Sequence, residues 1–332
     1  MNYSSSHGFD SINKIMREID KGYIIRNIHK NGSMGILIIV IIHIYRSIKY
    51  TSYTIKKSWI VGIIIYFFLI FIGFLGYTLP NGQMSYWGGT VITNLITVIP
   101  YIGENIKIYI WGNYNIGIET LNRFYSLHYL LPILLLIPIL LHLYFVHEKG
   151  GNNKIGIKEE YINLNRYFTI KDIMSFLLFS LIFIYIVFYK PTTLGHVDNY
   201  IESNPLVTPS HIVPELYLLP YYTILRSIEE KRIGVILLLL SILIFILLPY
   251  IQPSLLINTS FRTLYTYNLY FFIFNYFYIG YMGTEIVIKP YIYINTFLTL
   301  YYFYYIIRTN RNKYNRIYNI FNLNGIRIIY FH

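Results

Sequence analysis

HKNGSMGILIIVIIH (29–43) and HYLLPILLLIPILLH (128–142) each run from one histidine to another across an apolar stretch. His29 and His43 stand at positions i and i+14, and so do His128 and His142. In an α-helix that spacing makes nearly four turns, so both histidines of a stretch lie on one face, about 21 Å apart along the axis. This is about two-thirds of the hydrocarbon thickness of a bilayer. The two stretches run the same way, because one further apolar span lies between them. Side by side, they put one histidine pair at each of two depths. Each pair can grip a planar metal macrocycle from both faces. A haem iron held so has both axial positions filled, binds no substrate and suits electron transfer. A single histidine in an apolar helix is more often a hydrogen-bonded core residue than a ligand. Two pairs of identical spacing on parallel helices are hard to obtain from core packing alone, and an ionisable group inside a membrane is by default a functional one.

The rest of the chain supports a lipid setting. Of 332 residues, 55% are hydrophobic and 13% charged, against about 25% charged in soluble domains. A spanning helix needs about 20 apolar residues. Seven candidates lie near 33–50, 59–79, 124–146, 173–190, 233–251, 267–288 and 290–308. The last two are Tyr-rich and separated only by Lys289 and Pro290. The connections 80–123, 147–172 and 191–232 are long, and long connections are where function tends to lie. The tail after Arg308 is polar and basic. The absence of cysteine excludes disulfides, zinc ribbons, iron–sulfur ligation and thiol catalysis. No cleavable signal peptide is visible in the polar stretch 1–30. The net charge of +12 flanks apolar spans instead of forming one stripe, which speaks for membrane surfaces and against nucleic acid. Abundant Ile, Tyr, Asn and Lys with very little Ala is the bias of an AT-rich genome, of which organelles are one source.

Small residues and arginines accompany the histidines. Gly32, Ser33 and Gly35 lie between His29 and His43, and Gly62, Gly73 and Gly76 lie on the next span. Glycine lets a flat ring approach a helix backbone, although tight helix packing in membranes also favours it. Arg26 stands one helical turn before His29, and Arg46 one turn after His43. Each is placed to meet a haem propionate or to snorkel to the interface.

GYIIRNIHKNGS (22–33), GQMSYWGGTVITNL (82–95), RFYSLHYLLP (123–132), FTIKDI (168–173) and LGHVDNYIESNPLVTPSHIVPELYLLPYYTILRSI (194–228) together resemble cytochrome b of the respiratory cytochrome bc complex. The resemblance runs from about Ser4 to about residue 250. Beyond that only hydropathy and helix count agree. The related photosynthetic cytochrome has one more residue between its second pair of histidines and splits its chain after four helices, so the respiratory form is the better match.

The resemblance implies an all-α membrane protein, a bundle of about seven spans with two haems inside a four-helix core. Residues 1–172 would form the haem-binding part, with surface helices of the quinol pocket at 80–123. Residues 173–308 would form the C-terminal helices with the Pro–Glu–Leu–Tyr loop, and 309–332 a basic tail. His29 and His128 would hold the low-potential haem b, and His43 and His142 the high-potential one. Arg26 and Arg46 would neutralise propionates. Phe74, Tyr77, Gly88, Pro214 and Tyr217 would form the quinol-oxidation pocket. Glu215 would accept a quinol proton there, with Tyr222 nearby. His147, Lys171 and Asp172 would serve quinone reduction on the other side.

The implied activity is that of the catalytic core subunit of quinol–cytochrome c reductase, contributing to a proton gradient. The implied partners are ubiquinol and ubiquinone, the Rieske iron–sulfur protein, cytochrome c1 and the bilayer, in a dimeric complex. The expected location is the mitochondrial inner membrane, with a bacterial plasma membrane as the alternative.

The chain departs from the family in places. An additional span precedes the region matching residue 4 in the family; an incorrectly placed start, a separately encoded piece and true loss are the competing explanations. Leu216 stands where the loop usually has Trp, Asn81 where Trp is frequent, and Val197 where Pro is usual. None of these removes a ligand or the acid. A di-haem anchor of another dehydrogenase leaves the 191–228 segment unexplained. A cofactor-free transporter explains Pro- and Gly-interrupted spans but not the paired histidines.

Overall fold

The computed structural model describes residues 8–150, 162–250 and 263–308; the tail expected at 309–332 lies outside them. Eleven helices follow one another among the described residues: α1 (Gly8–Arg17), α2 (Gly22–Lys49), α3 (Lys56–Thr78), α4 (Gln83–Thr93), α5 (Gly103–Trp111), α6 (Ile118–Lys149), α7 (Phe168–Tyr189), α8 (Leu219–Arg226), α9 (Lys231–Leu247), α10 (Thr263–Met282) and α11 (Tyr291–Arg308). The described residues form no strand, only an isolated bridge between Gly82 and Glu202. In lipid every backbone group must be satisfied within the segment, which leaves the helix as the spanning form for this chain. It is an all-α, multi-pass membrane protein.

Helices α2, α3, α6, α7 and α9 are long and apolar enough to cross a bilayer. Lys56 and Lys57 open α3, and Lys231 and Arg232 open α9, marking where each leaves the polar interface. The two remaining expected spans are the helices α10 and α11, whose Tyr and Asn lower their hydropathy. Their boundary differs from the one the sequence suggests. Helix α10 stops at Met282, and Arg226 supplies the reason. Its guanidinium donates to the carbonyls of Met282, Gly283 and Glu285, capping the helix end. Helix α6 runs on through Pro132 and Pro138, which membrane helices tolerate when neighbours re-satisfy the freed carbonyls.

The main core joins α2, α3, α9, α10 and α11 and is unusually aromatic. Its polar tips find backbone acceptors. Trp59 Nε1 donates to the Phe245 carbonyl at 2.7 Å, Tyr302 to that of Ser241 at 2.7 Å and Tyr265 to that of Ile48 at 2.7 Å. In this way several of the chain's 38 tyrosines and one tryptophan are buried with their polar tips satisfied.

Helix α3 packs along α6 and also touches α2, while α2 and α6 make little direct contact. A slot therefore opens between α2 and α6 with α3 as its back wall. At one end the slot is closed by the 190–218 segment. That segment is tied to the turn before α4: Gln83 N donates to the Ile201 carbonyl at 2.9 Å, and the Gln83 side chain bonds both Val207 O and Asn204 N. Asn81 makes that turn at φ 52°, a left-handed conformation that Asn adopts readily.

Candidate functional site

The slot brings the four histidines together in two pairs. The ring centroids of His29 and His128 are 5.9 Å apart, and those of His43 and His142 6.3 Å. With about 2 Å from iron to each nitrogen, and about 1.1 Å from nitrogen to ring centre, an iron between two imidazoles needs centroids about 6.2 Å apart. Both pairs are close to that spacing. Among the described residues no group of three or more His, Asp or Glu is placed to hold a bare ion. Two imidazoles suffice when a macrocycle fills the other four positions, so this donor set fits a haem.

Helix α3 seats the rings of α6. His128 Nδ1 lies 3.0 Å from the carbonyl oxygen of Ile72, and His142 Nδ1 lies 2.8 Å from that of Ser58. A carbonyl only accepts, so each Nδ1 carries the proton and each Nε2 keeps its lone pair for a metal. The sequence explains why these carbonyls are reachable. Gly76 stands at i+4 from Ile72, and Gly62 at i+4 from Ser58. On a helix the side chain at i+4 leans back over the carbonyl of i. A methyl on Gly76 would lie 3.0 Å from both ring nitrogens of His128, and one on Gly62 would lie 3.0 Å from His142 Cε1. The two glycines repeat the i, i+14 spacing of the histidines they face. In the structure these two glycines admit the histidine rings to the helix backbone. Gly32 and Gly35 face Phe183 and Phe179 of α7, and Gly73 faces Tyr217; Gly32 and Gly73 also line the cavity at the His29–His128 level.

The His29–His128 level opens into a cavity of about 880 Å³, also lined by Arg26, Lys30, Tyr77, His196, Glu215 and Tyr217. Cofactor and ligand sites span about 300–1,000 Å³. Burial pushes the Glu215 carboxyl up to about 7, opposed by the positive charge of Lys30. The buried Tyr217 hydroxyl has no hydrogen-bond partner among the described residues. Its phenol is pushed well above its ordinary value by burial and by Glu215, so it stays a neutral donor.

Two family models match this chain: "Cytochrome b/b6/petB" over residues 1–150 and "Cytochrome b(C-terminal)/b6/petD" over residues 202–303. Proteins named cytochrome b from Dictyostelium citrinum and Candida albicans are 42% and 44% identical, each alignment covering 92% of this chain and 81% of the relative. That of Rickettsia prowazekii is 42% identical over 90% of this chain and 76% of its own length. The chain belongs to the cytochrome b family. A solved structure titled "Hyperthermophilic respiratory Complex III" superposes with a TM-score of 0.85 at 30% identity, covering 92% of this chain and 83% of that one. The likeness extends past residue 250, where motif resemblance ends.

The remaining site residues expected of a cytochrome b are distributed as follows. Gly88 packs beside Tyr77, with room for a methyl 3.7 Å from the Tyr77 ring. Phe74 is buried against Phe124, with ring centroids 6.0 Å apart, and does not line the cavity. Pro214 is buried beside Glu215 and also stands outside the cavity lining. Tyr222 turns its ring under the Arg226 guanidinium, 4.4 Å from the centroid. Arg26 lines the cavity, and Arg46 lies over the Tyr50 ring at 5.9 Å. His147 lies near the end of α6, and Lys171 and Asp172 in the first turns of α7; all three are exposed. Among the described residues no hydrogen bond or ion pair joins His147 to either. Lys30, His196 and Tyr200 also line the cavity, although the sequence does not single them out. All three stand within the family-like stretches, but only the tertiary fold brings them to one wall.

Proposed function

We propose that this chain is the di-haem electron-transfer subunit of a quinol–cytochrome c oxidoreductase. The observation that carries the reading is the spacing of the two histidine pairs across the α2–α6 slot. His29 and His128 hold the low-potential haem b, and His43 and His142 the high-potential one. When bound, the two haems supply one-electron carriers that pass charge across the membrane between two quinone sites. Arg26 and Arg46, one turn from their histidines, answer the propionates.

The part of the cavity between His29 and His128 takes the low-potential haem, and quinol binds at the end lined by Tyr77, Glu215 and Tyr217. Tyr77 lines one wall, with Gly88 packed behind it and Phe74 and Pro214 as further packed support. The unpartnered Tyr217 hydroxyl donates to a quinol oxygen. Glu215 takes a quinol proton; a carboxyl near 7 is matched to that exchange at neutral pH. Tyr222 holds the adjoining α8 turn through Arg226. On the other side, His147, Lys171 and Asp172 deliver protons to a reduced quinone. Residues 1–172 and 173–308 divide the work as haem part and quinol-loop part. The partners are ubiquinol and ubiquinone, a Rieske iron–sulfur protein and cytochrome c1, in a dimeric complex of the mitochondrial inner membrane. The AT-rich residue bias supports the organelle.

The reduced-minus-oxidised optical spectrum of the assembled complex tests this. Two b-type components with separate midpoint potentials are expected, and their absence overturns the proposal. Glu215→Gln should slow quinol oxidation about a hundredfold with both components retained. Because the anionic form is the base, the wild-type rate should rise with pH through about 7. Stopped-flow assays of quinol oxidation between pH 5 and 9 would show it.

A further inference from the structure

Helix α8 directly follows the Pro–Glu–Leu–Tyr loop and is tied to α10. Thr223 donates to the Ile279 carbonyl at 2.8 Å, and Arg226 to those of Met282 and Gly283 at 2.9 and 3.2 Å. A further hydrogen bond runs the other way, to α3. The hydroxyls of Tyr66, on α3, and Tyr221, on α8, lie 2.8 Å apart. Both residues are buried in one cluster with Tyr217, and neither lines the cavity. The hydroxyl of Tyr276, from α10, approaches both without a well-aligned bond to either. Two turns further along α3, on the same face, stands Gly73. It meets Tyr217: a methyl there would lie 2.9 Å from the Tyr217 hydroxyl.

We propose that Tyr66 and Tyr221 are positioning residues for quinol oxidation, a buried phenol pair that fixes the height of the Pro–Glu–Leu–Tyr loop along α3. The proposal rests on the reading of Tyr217 as the quinol's hydrogen-bond donor. Helix α3 seats the histidine rings of α6, so the loop must keep a set height on α3 to meet the reacting quinol. Apolar packing is non-directional; the bond between Tyr66 and Tyr221 adds a direction. Tyr221 at Tyr66 and Tyr217 at Gly73 make two fixed points, about 10 Å apart along α3. Two points define both the height of the loop and its angle. A hydroxyl buried without its partner carries the full cost of its lost hydration, so the pair resists sliding. Rebinding of Tyr221 to Tyr276 ties α8 to α10 again and leaves the height on α3 unset.

The test is steady-state oxidation of a short-chain ubiquinol by the assembled complex, with the b-type spectrum recorded for each variant. Tyr66→Phe and Tyr221→Phe remove the bond and keep the rings. Each should raise KM for quinol roughly fivefold with kcat within about twofold of wild type. A displaced loop weakens its hold on the ground state and the transition state alike. Both b-type components should be retained. The two phenols act as one unit, so the double variant Tyr66→Phe/Tyr221→Phe should raise KM no further than either single one. It leaves neither hydroxyl of the pair stranded, and it decides the matter if a single variant fails to assemble. A wild-type KM in the double variant overturns the proposal, and so does a purely additive effect. Amide hydrogen exchange across 216–222 should quicken in the double variant while that of α10 stays as in wild type. Unchanged exchange across 216–222 also overturns it. Tyr217→Phe separates the two readings. If it keeps the wild-type KM, the reading of Tyr217 fails and takes the role of the pair with it. If it raises KM while the double variant does not, only the role of the pair fails.

Discussion

His142→Ala is expected to remove the high-potential haem and leave the low-potential one in place. The pairing of His43 with His142 is separate from that of His29 with His128, with centroids at 6.3 Å and 5.9 Å. The two levels stand about 21 Å apart along the helices. Alanine leaves His43 facing open space with no second axial donor. The Ser58 carbonyl that seated the ring returns to its own helix, so the packing of α3 on α6 should survive. A redox titration should then show one b-type component with about half the original absorbance. Electron delivery to the quinone-reducing side should cease, while the low-potential component is still reduced by quinol. Both components persisting would show that the pairs are wrongly assigned.

Gly76→Val should have an effect of similar size at the other level, through a residue that contacts no iron. The added side chain would occupy the space of the His128 ring, whose nitrogens lie 3.0 Å from the position of a methyl. It would also screen the Ile72 carbonyl that fixes the Nδ1 proton at 3.0 Å. Losing such an orienting partner typically costs about 10–100-fold in metal affinity. The low-potential component should fall below about a tenth of its occupancy, with the high-potential one retained. Gly76→Ala should be milder, and Gly73→Ala should instead disturb Tyr217, whose hydroxyl lies 2.9 Å from the methyl position. A normal low-potential haem in Gly76→Val would refute the account of the glycines.

The helices and the histidine pairs are legible in the chain because both are periodic. Apolar runs of spanning length declare themselves, and the i, i+14 spacing repeats on two parallel helices. The partition into His29–His128 and His43–His142 follows from that spacing and from parallel direction. The end of α10 is only partly legible. Gly283 directly after Met282 is a local stop signal, but the cap on the terminal carbonyls comes from Arg226 at the end of α8, two helices earlier. Phe74 and Tyr222 illustrate the same limit. Motif position places them near the pocket, but side-chain direction turns Phe74 onto Phe124 and Tyr222 under Arg226.

By itself, then, the sequence determined a multi-span helical membrane chain with two histidine levels, because hydropathy and helical period are local quantities. Tertiary structure decided what surrounds each histidine. Gly62 and Gly76 became seats for imidazole rings because α3, not another helix, packs along α6. Lys30 came to lie against Tyr200 because the 190–218 segment folds back over the end of α2. Both are distances between residues far apart in the chain, set by which helix faces meet, and no local pattern carries them.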